Sequence, residues 1–334
     1  MAIDTGFTAA AVLARAAAMA GYAPSVHNTQ PWRWTIRTDR MELTAVWSRQ
    51  LPAIDPDGRL LLLSCGAALH HARTTLTATG WDYAVERLPT PGRPDLLAVL
   101  TPTAHRQPDP AATRLVQTME VRHTDRRPVS DTPVSETTLK QVVAAAEAED
   151  VACGLLTGER VFDLAAAASR ADAVEKADPE IQEELAYWIG RHDRLGIPSN
   201  TLTGSQPATT VPVRDFGQPG VLPSGPGHDR AARYAVLFGA NDEPSSWLRA
   251  GEALSAAWLT ATRLGASVLP LSAVIEVPVT RTALRRAIDE LGWPYLVLRI
   301  GVADPDHTGA VHPPRLPTAQ IVDVEEVRHL LDQE

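Results

Sequence analysis

Between Ala23 and Trp34 the chain reads APSVHNTQPWRW, which gathers the hydroxyls of Ser25 and Thr29, the imidazole of His27 and the amides of Asn28 and Gln30 within one short run. Side-chain amides carry two donors and an acceptor, so Asn28 and Gln30 can grip a polar ligand. Pro24 and Pro31 forbid a continuous helix across the run. It reads as a polar loop, a common place for binding groups when a rigid frame holds its ends. The same residues would also suit an Asn/Pro-rich connector whose side chains bond their own backbone. His27 fits a polar wall better than a general base.

A second group with chemical potential is VRHTDRRPV, Val121 to Val129. Forked guanidinium donors and a hydroxyl suit a dianion such as a phosphate, so Arg122, Thr124 and Arg126, with His123 between them, are candidates to bind one. A solvated charged turn ahead of a helix is the alternative. Only Lys140 and Lys176 are lysines among the 31 basic residues, so an arginine cluster in this chain carries less information than usual.

The elements that must position these residues follow from periodicity. Thr8 to Ala20 is an alanine-rich helical run, and Trp32, Trp34 and Ile36 alternate with Arg33, Thr35 and Arg37 in the period of a strand. The polar loop therefore joins a helix to a strand. An internal echo extends the pattern: GAALHHARTTLTATGW (Gly66 to Trp81) and GEALSAAWLTATRLGA (Gly251 to Ala266) are helical stretches closed by Gly80 and Gly265 at the same spacing. Their flanks agree. Strands Leu96 to Leu100 and Leu296 to Ile300 follow, with a helical insert near Thr280 to Leu291 in the second copy. Upstream, helix Thr137 to Glu149 and strand Cys153 to Thr157 match the first helix and strand, but the second copy lacks the polar loop.

The rest of the chain bounds the function. At 334 residues and 44% hydrophobic content it can bury a large core, and a formal net charge of -9 argues against general affinity for nucleic acid or anionic membranes. A small-molecule ligand is the expectation. Cys65 and Cys153 form no CxxC pair, which suits a reducing cytoplasm. The apolar run Phe7 to Ala20 follows Asp4 and contains Arg15, a helix pattern rather than a signal peptide, and no apolar stretch reaches membrane-span length. HExxH, Walker A and GxSxG strings are absent, and Gly225-Pro226-Gly227 lacks the strand and third glycine of a dinucleotide fingerprint. His70 and His71, adjacent on a helix, cannot share a metal and are expected to be packing and surface groups. No metal site and no covalent catalytic constellation is expected.

The PSVHNTQPW loop, together with RQLPAIDPDGRLLLLSCGAALHHA (Arg49 to Ala72), resembles the signature region of the nitroreductase-like FMN flavoproteins, with the better fit to the Acg-like branch. That resemblance implies an α+β, three-layer sandwich of nitroreductase-like fold binding FMN. Family members are homodimers with FMN at the subunit interface, so the echo implies an internal duplication imitating that homodimer in one chain: residues 1–105 as the first half and 106–334 as the second, a monomeric pseudo-dimer. The basic segment occurs only in the second half and the polar loop only in the first, so one site survives.

By the same resemblance the flavin would be held by Pro24, Ser25, Val26, Asn28 and Gln30, and its phosphate by Arg122, His123, Thr124 and Arg126. Pro270, Leu271 and Ser272 in ASVLPLSAV (Ala266 to Val274) would pass the flavin near N5, where the family often has an acidic residue and glycine instead of Ser272 and Ala273. Arg315 of HPPRLP (His312 to Pro317) would return to the phosphate, although a polyproline tail is the alternative. The Gly/Pro/Ser/Thr-rich stretch Gly196 to His228 would be a lid, or else a surface excursion. The implied activity is an FMN-dependent oxidoreductase using NAD(P)H or another donor to reduce a nitroaromatic, quinone or similar acceptor. An FMN-binding or storage protein with a lid-covered flavin is the other reading.

Overall fold

The computed structural model describes residues 9–191, 193–218, 220–225, 227–304 and 312–331. Thr8 and the preceding MAIDTGF, His192 and Pro226 lie outside the described residues. The chain is α+β. Its first part runs α1 (Ala9–Ala20), β1 (Trp32–Ile36), β2 (Met41–Ala45), α2 (Arg59–Ala78), β3 (Trp81–Arg87) and β4 (Leu96–His105). After α3 (Pro110–Val121) come α4 (Glu136–Glu147), β5 (Ala152–Leu156), α5 (Glu159–Ala177), α6 (Pro179–Trp188), β6 (Arg233–Gly239), α7 (Pro244–Arg263) and β7 (Ser267–Leu271). The chain ends through α8 (Ala273–Glu276), α9 (Pro278–Ala287), β8 (Trp293–Gly301), α10 (Thr318–Ile321), β9 (Val322–Asp323) and α11 (Arg328–Leu331).

The two sheets have matching orders. One reads β3-β4-β2-β1-β9 and the other, taken in the same sense, β7-β8-β6-β5. In each, the strand after the long central helix pairs antiparallel with the next one, which returns beside the strand before that helix. The short β9 lies parallel to β1, Trp34 opposite Val322, so the C-terminal segment leaves the second sheet and completes the first. Trp32, Trp34 and Ile36 point into a core beneath α1 and α2, and the second sheet is covered on both faces. Pro270 sits within β7 without penalty because β7 is an edge strand.

The central helices α2 and α7 pack against each other, and the glycines of the echo explain how. A Cβ on Gly66 would stand 1.9 Å from the Leu248 carbonyl oxygen, and one on Gly251 would stand 1.8 Å from that of Leu63. The contact is reciprocal, as at a twofold crossing. Ser255 of α7 meets both histidines of α2, with His70 Nδ1 at 2.8 Å and His71 Nδ1 at 2.9 Å. Both are buried in the helix crossing, so neither is the surface group expected from sequence.

Boundaries moved for local reasons. α4 begins at Glu136 because Ser135 accepts the Thr138 N–H and caps it. α7 starts at Pro244, ahead of the echoed stretch from Gly251, with proline in the first turn where no donor is missed. α9 stops at Ala287 because Asp289 and Glu290 adopt left-handed φ of 57° and 59°. No described helix is long and apolar enough to cross a membrane.

Candidate cofactor site

A cavity of about 450 Å³ lies where the polar loop of the first part meets the second sheet. Its wall takes residues from the 24–28 loop, α2, the 122–126 coil, α5, the 197–218 segment, α7, β7 and the C-terminal segment. Of the residues singled out from sequence, Pro24, Ser25, Val26, Asn28, Arg122, Thr124, Arg126, Pro270, Leu271, Ser272 and Arg315 line it. Gln30 and His123 do not.

The polar loop is held in a costly shape. His27, Asn28 and Gln30 have φ of 44°, 55° and 48°, the left-handed region that L side chains rarely enter. Ser64 Oγ accepts the Val26 N–H at 3.0 Å, and Ser25 Oγ accepts that of Gln30 at 2.9 Å. Gln30 turns inward, donating to the Arg194 carbonyl at 2.9 Å and accepting the Leu316 N–H at 2.9 Å. Its amide joins the loop to the C-terminal segment, so Gln30 is a brace and not a wall of the cavity. Asn28 does both. It faces the cavity while its Nδ2 donates to the carbonyls of Gly196 (3.0 Å) and Pro314 (3.1 Å) and its Oδ1 accepts from Arg315.

Three guanidinium groups face the cavity without a carboxylate partner among the described residues. Arg122, buried, donates to the Tyr22 carbonyl at 3.2 Å and lies 4.4 Å above the Trp258 ring, while its Nε has no partner. Arg315 shares the Tyr22 carbonyl, and Arg126 reaches only the Thr201 carbonyl at 3.3 Å. Burial first, and for Arg122 also the Arg315 charge, holds the Arg122 pKa well below its ordinary value. Burial lowers Arg126 and Arg315 to about 10. Charges so enclosed are costly until an anion joins them.

The coil bearing Arg122 and Arg126 is pinned by a separate ionic knot. Arg127 forms a fork with Asp125 (2.9 and 2.8 Å), and Arg299 donates to the carbonyls of Asp125 and Arg127 and to Asp229. Asp229 also accepts the Val129 N–H at 2.7 Å. His123 points away, its ring packed edge-on against His312 at 5.2 Å. The sequence alone does not separate these arginines, since Arg126 and Arg127 are neighbours with opposite duties.

A fourth arginine was not foreseen. Arg214, in the Gly196 to His228 segment, donates to Glu175 Oε1 of α5 at 2.8 Å, to Glu276 Oε2 of α8 and to His27 Nε2 at 2.8 Å. Arginine can only donate, so His27 accepts at Nε2 and carries its proton on Nδ1. Burial, then the charges of Arg214 and Arg126, keeps His27 neutral, its pKa well below 6.5. Phe216 of the same segment packs against the His27 ring at 5.8 Å and under Arg126 at 5.4 Å. The segment therefore lines the cavity and is tied to three other elements, α5, α8 and the polar loop.

The chain is 35% identical over 331 residues to "Putative NAD(P)H nitroreductase Rv3131" of Mycobacterium tuberculosis (strain H37Rv), covering 96% of this chain and 94% of that protein. It is 30% identical over 322 residues to "Putative NAD(P)H nitroreductase acg" of the same strain, covering 95% and 97%. The chain belongs to the nitroreductase-like family that includes Acg. No family model matches. Among solved structures, the FMN-dependent nitroreductase NfnB from Mycobacterium smegmatis in complex with NADPH is 17% identical, with a TM-score of 0.41 over 63% of this chain and 97% of that one.

Proposed function

We propose that the cavity holds one FMN per chain and that the protein is a cytoplasmic FMN-dependent oxidoreductase of nitroreductase type. The observation that carries this reading is the set of guanidiniums of Arg122, Arg126 and Arg315, which face the cavity and form no ion pair with a carboxylate among the described residues. A phosphate dianion suits that donor set, and the unpartnered Arg122 Nε is a donor left for it. Thr124 adds a hydroxyl, Ser25 and Asn28 fix the loop beside it, and Pro270, Leu271 and Ser272 offer a backbone edge for the ring. When bound, FMN would supply hydride and electron transfer to a nitroaromatic, quinone or similar acceptor. The relatives' names support NAD(P)H as the donor.

The same reading treats the chain as a three-layer, internally duplicated nitroreductase-like fold, residues 1–105 and 106–334 standing for the two subunits of a dimer. The matched sheet orders and the reciprocal Gly66 and Gly251 crossing support it. One site per monomeric chain follows, because the polar loop and the basic coil each occur once.

The tied-down segment lining the cavity favours a second reading, in which FMN is sequestered and no nicotinamide reaches it. Anaerobic mixing of the FMN-loaded protein with NADPH separates the two. We expect the flavin absorbance to bleach; a flavin that stays oxidised with both NADPH and NADH would establish sequestration instead.

A further inference from the structure

The cluster around Arg214 contains more acid than its base can neutralise. Glu175 and Glu276 both contact one guanidinium, and their side chains are only 4% and 3% exposed. The other groups facing them do not restore balance. His27 is neutral, as its tautomer requires; Asp172, one turn back on α5, is a further acid that lines the cavity; Asp55 and Glu184 add acid on the Glu276 side; and Lys176 is outside, paired with Asp172 and Asp215. Two buried carboxylates on one cation cannot both stay ionised at little cost, so one proton is retained between them. Glu276 Oε1 has no protein partner. Glu175 lines the cavity. Burial, relieved in part by Arg214 and reinforced by Glu276, pushes Glu175 from 4.5 up to about 7, where a carboxyl can both hold and release a proton under ordinary conditions.

We propose that Glu175 is the acid of the site, delivering a proton to the acceptor as it is reduced, with Glu276 and Arg214 as positioning residues that keep that proton in place. This rests on the oxidoreductase reading. A quinone becoming a hydroquinone takes up two electrons and two protons. Hydride equivalents from NAD(P)H bring both electrons and one proton. Glu175 brings the other, its O–H bond breaking as an O–H bond forms on the acceptor oxygen. The pair is then dianionic beside Arg214 and recovers its proton from solvent. Glu175 stands on α5 and Glu276 on α8, the helix that follows Ser272, and Glu175 lines the same cavity as the backbone edge assigned to the ring.

Arg214 belongs to the 197–218 segment that lines the cavity, so that segment supplies the cation of the pair.

The test has two arms. In pH-difference infrared spectra of the purified protein, we expect a protonated-carboxyl C=O band that fades as pH rises through about 7. Glu175→Gln should remove the component that titrates near 7 and leave the contribution of other buried carboxyls such as Asp55, which burial raises to about 6. In Glu276→Gln the remaining carboxylate faces Arg214 alone, and the transition should move down by about 1–3 pH units. In steady-state quinone reduction by NAD(P)H, wild-type kcat should fall above the same midpoint. Glu175→Gln should lower kcat by about 10²-fold or more and flatten the profile, with FMN content unchanged.

No component titrating near 7 in the wild type, or a component and rate profile unmoved in both variants, overturns the assignment of the acid. A wild type that holds FMN, shows the band and turns over no acceptor overturns proton delivery together with the oxidoreductase reading. A wild type that turns over normally while Glu175→Gln retains its rate and pH profile overturns the acid alone.

Discussion

Two sets of arginines face one cavity, and they are neutralised in opposite ways. Arg122, Arg126 and Arg315 meet only carbonyls, an amide and aromatic faces, whereas Arg214 is gripped by two carboxylates and an imidazole. A guanidinium without a carboxylate is a binding group in waiting; one with two is a structural tie. Residue type is the same in both cases. What differs is the charge around it, and that difference divides the cavity wall into a part with unneutralised cations and a part where the 197–218 segment is tied by carboxylates.

Removing the tie should have the largest effect. Arg214→Met leaves Glu175 and Glu276 buried without their cation, a loss of about 3–5 kcal/mol where both are ionised. We expect a lower melting temperature at alkaline pH. Below the ordinary carboxylate range the variant should approach the wild type, because the protonated pair no longer needs the charge. The sign follows from Glu175: its folded pKa is raised, so its contribution is complete below 4.5 and lost as pH rises through about 7. Equal melting curves for both proteins at high pH would erase the distinction between the two sets.

Arg122→Met should act the other way. It removes a buried cation that no carboxylate among the described residues pairs with, so the FMN-free protein should be no less stable, while FMN binding weakens by about 1–3 kcal/mol, roughly ten- to a hundredfold in Kd. Asn28→Ala should give a weaker version of the same loss, since Asn28 holds Arg315. FMN titration beside melting curves of the FMN-free proteins would separate these outcomes from general damage.

Much of the fold was legible because packing writes itself into sequence. Trp32, Trp34 and Ile36 alternate because one face of β1 is core, and Gly66 and Gly251 recur because the helix crossing leaves no space for a Cβ. The addition of β9 to the first sheet was not legible, since two residues carry no period. At the site, the family resemblance located Arg122, Arg126 and Arg315 on the cavity wall. It could not separate Gln30 from Asn28, because which way each amide turns depends on left-handed backbone angles at non-glycine residues. Arg214 was hidden for another reason. Its carboxylates lie 39 and 62 positions away, and nothing in a local window distinguishes a buried ion cluster from solvated charge.

The most direct test of the account is the flavin content of the purified, FMN-saturated and desalted protein. We expect a yellow protein with one FMN per chain, lost on desalting from Arg122→Met. A colourless protein, or FMN retained equally by the wild type and by Arg122→Met, would contradict the assignment of the unneutralised arginines to a phosphate.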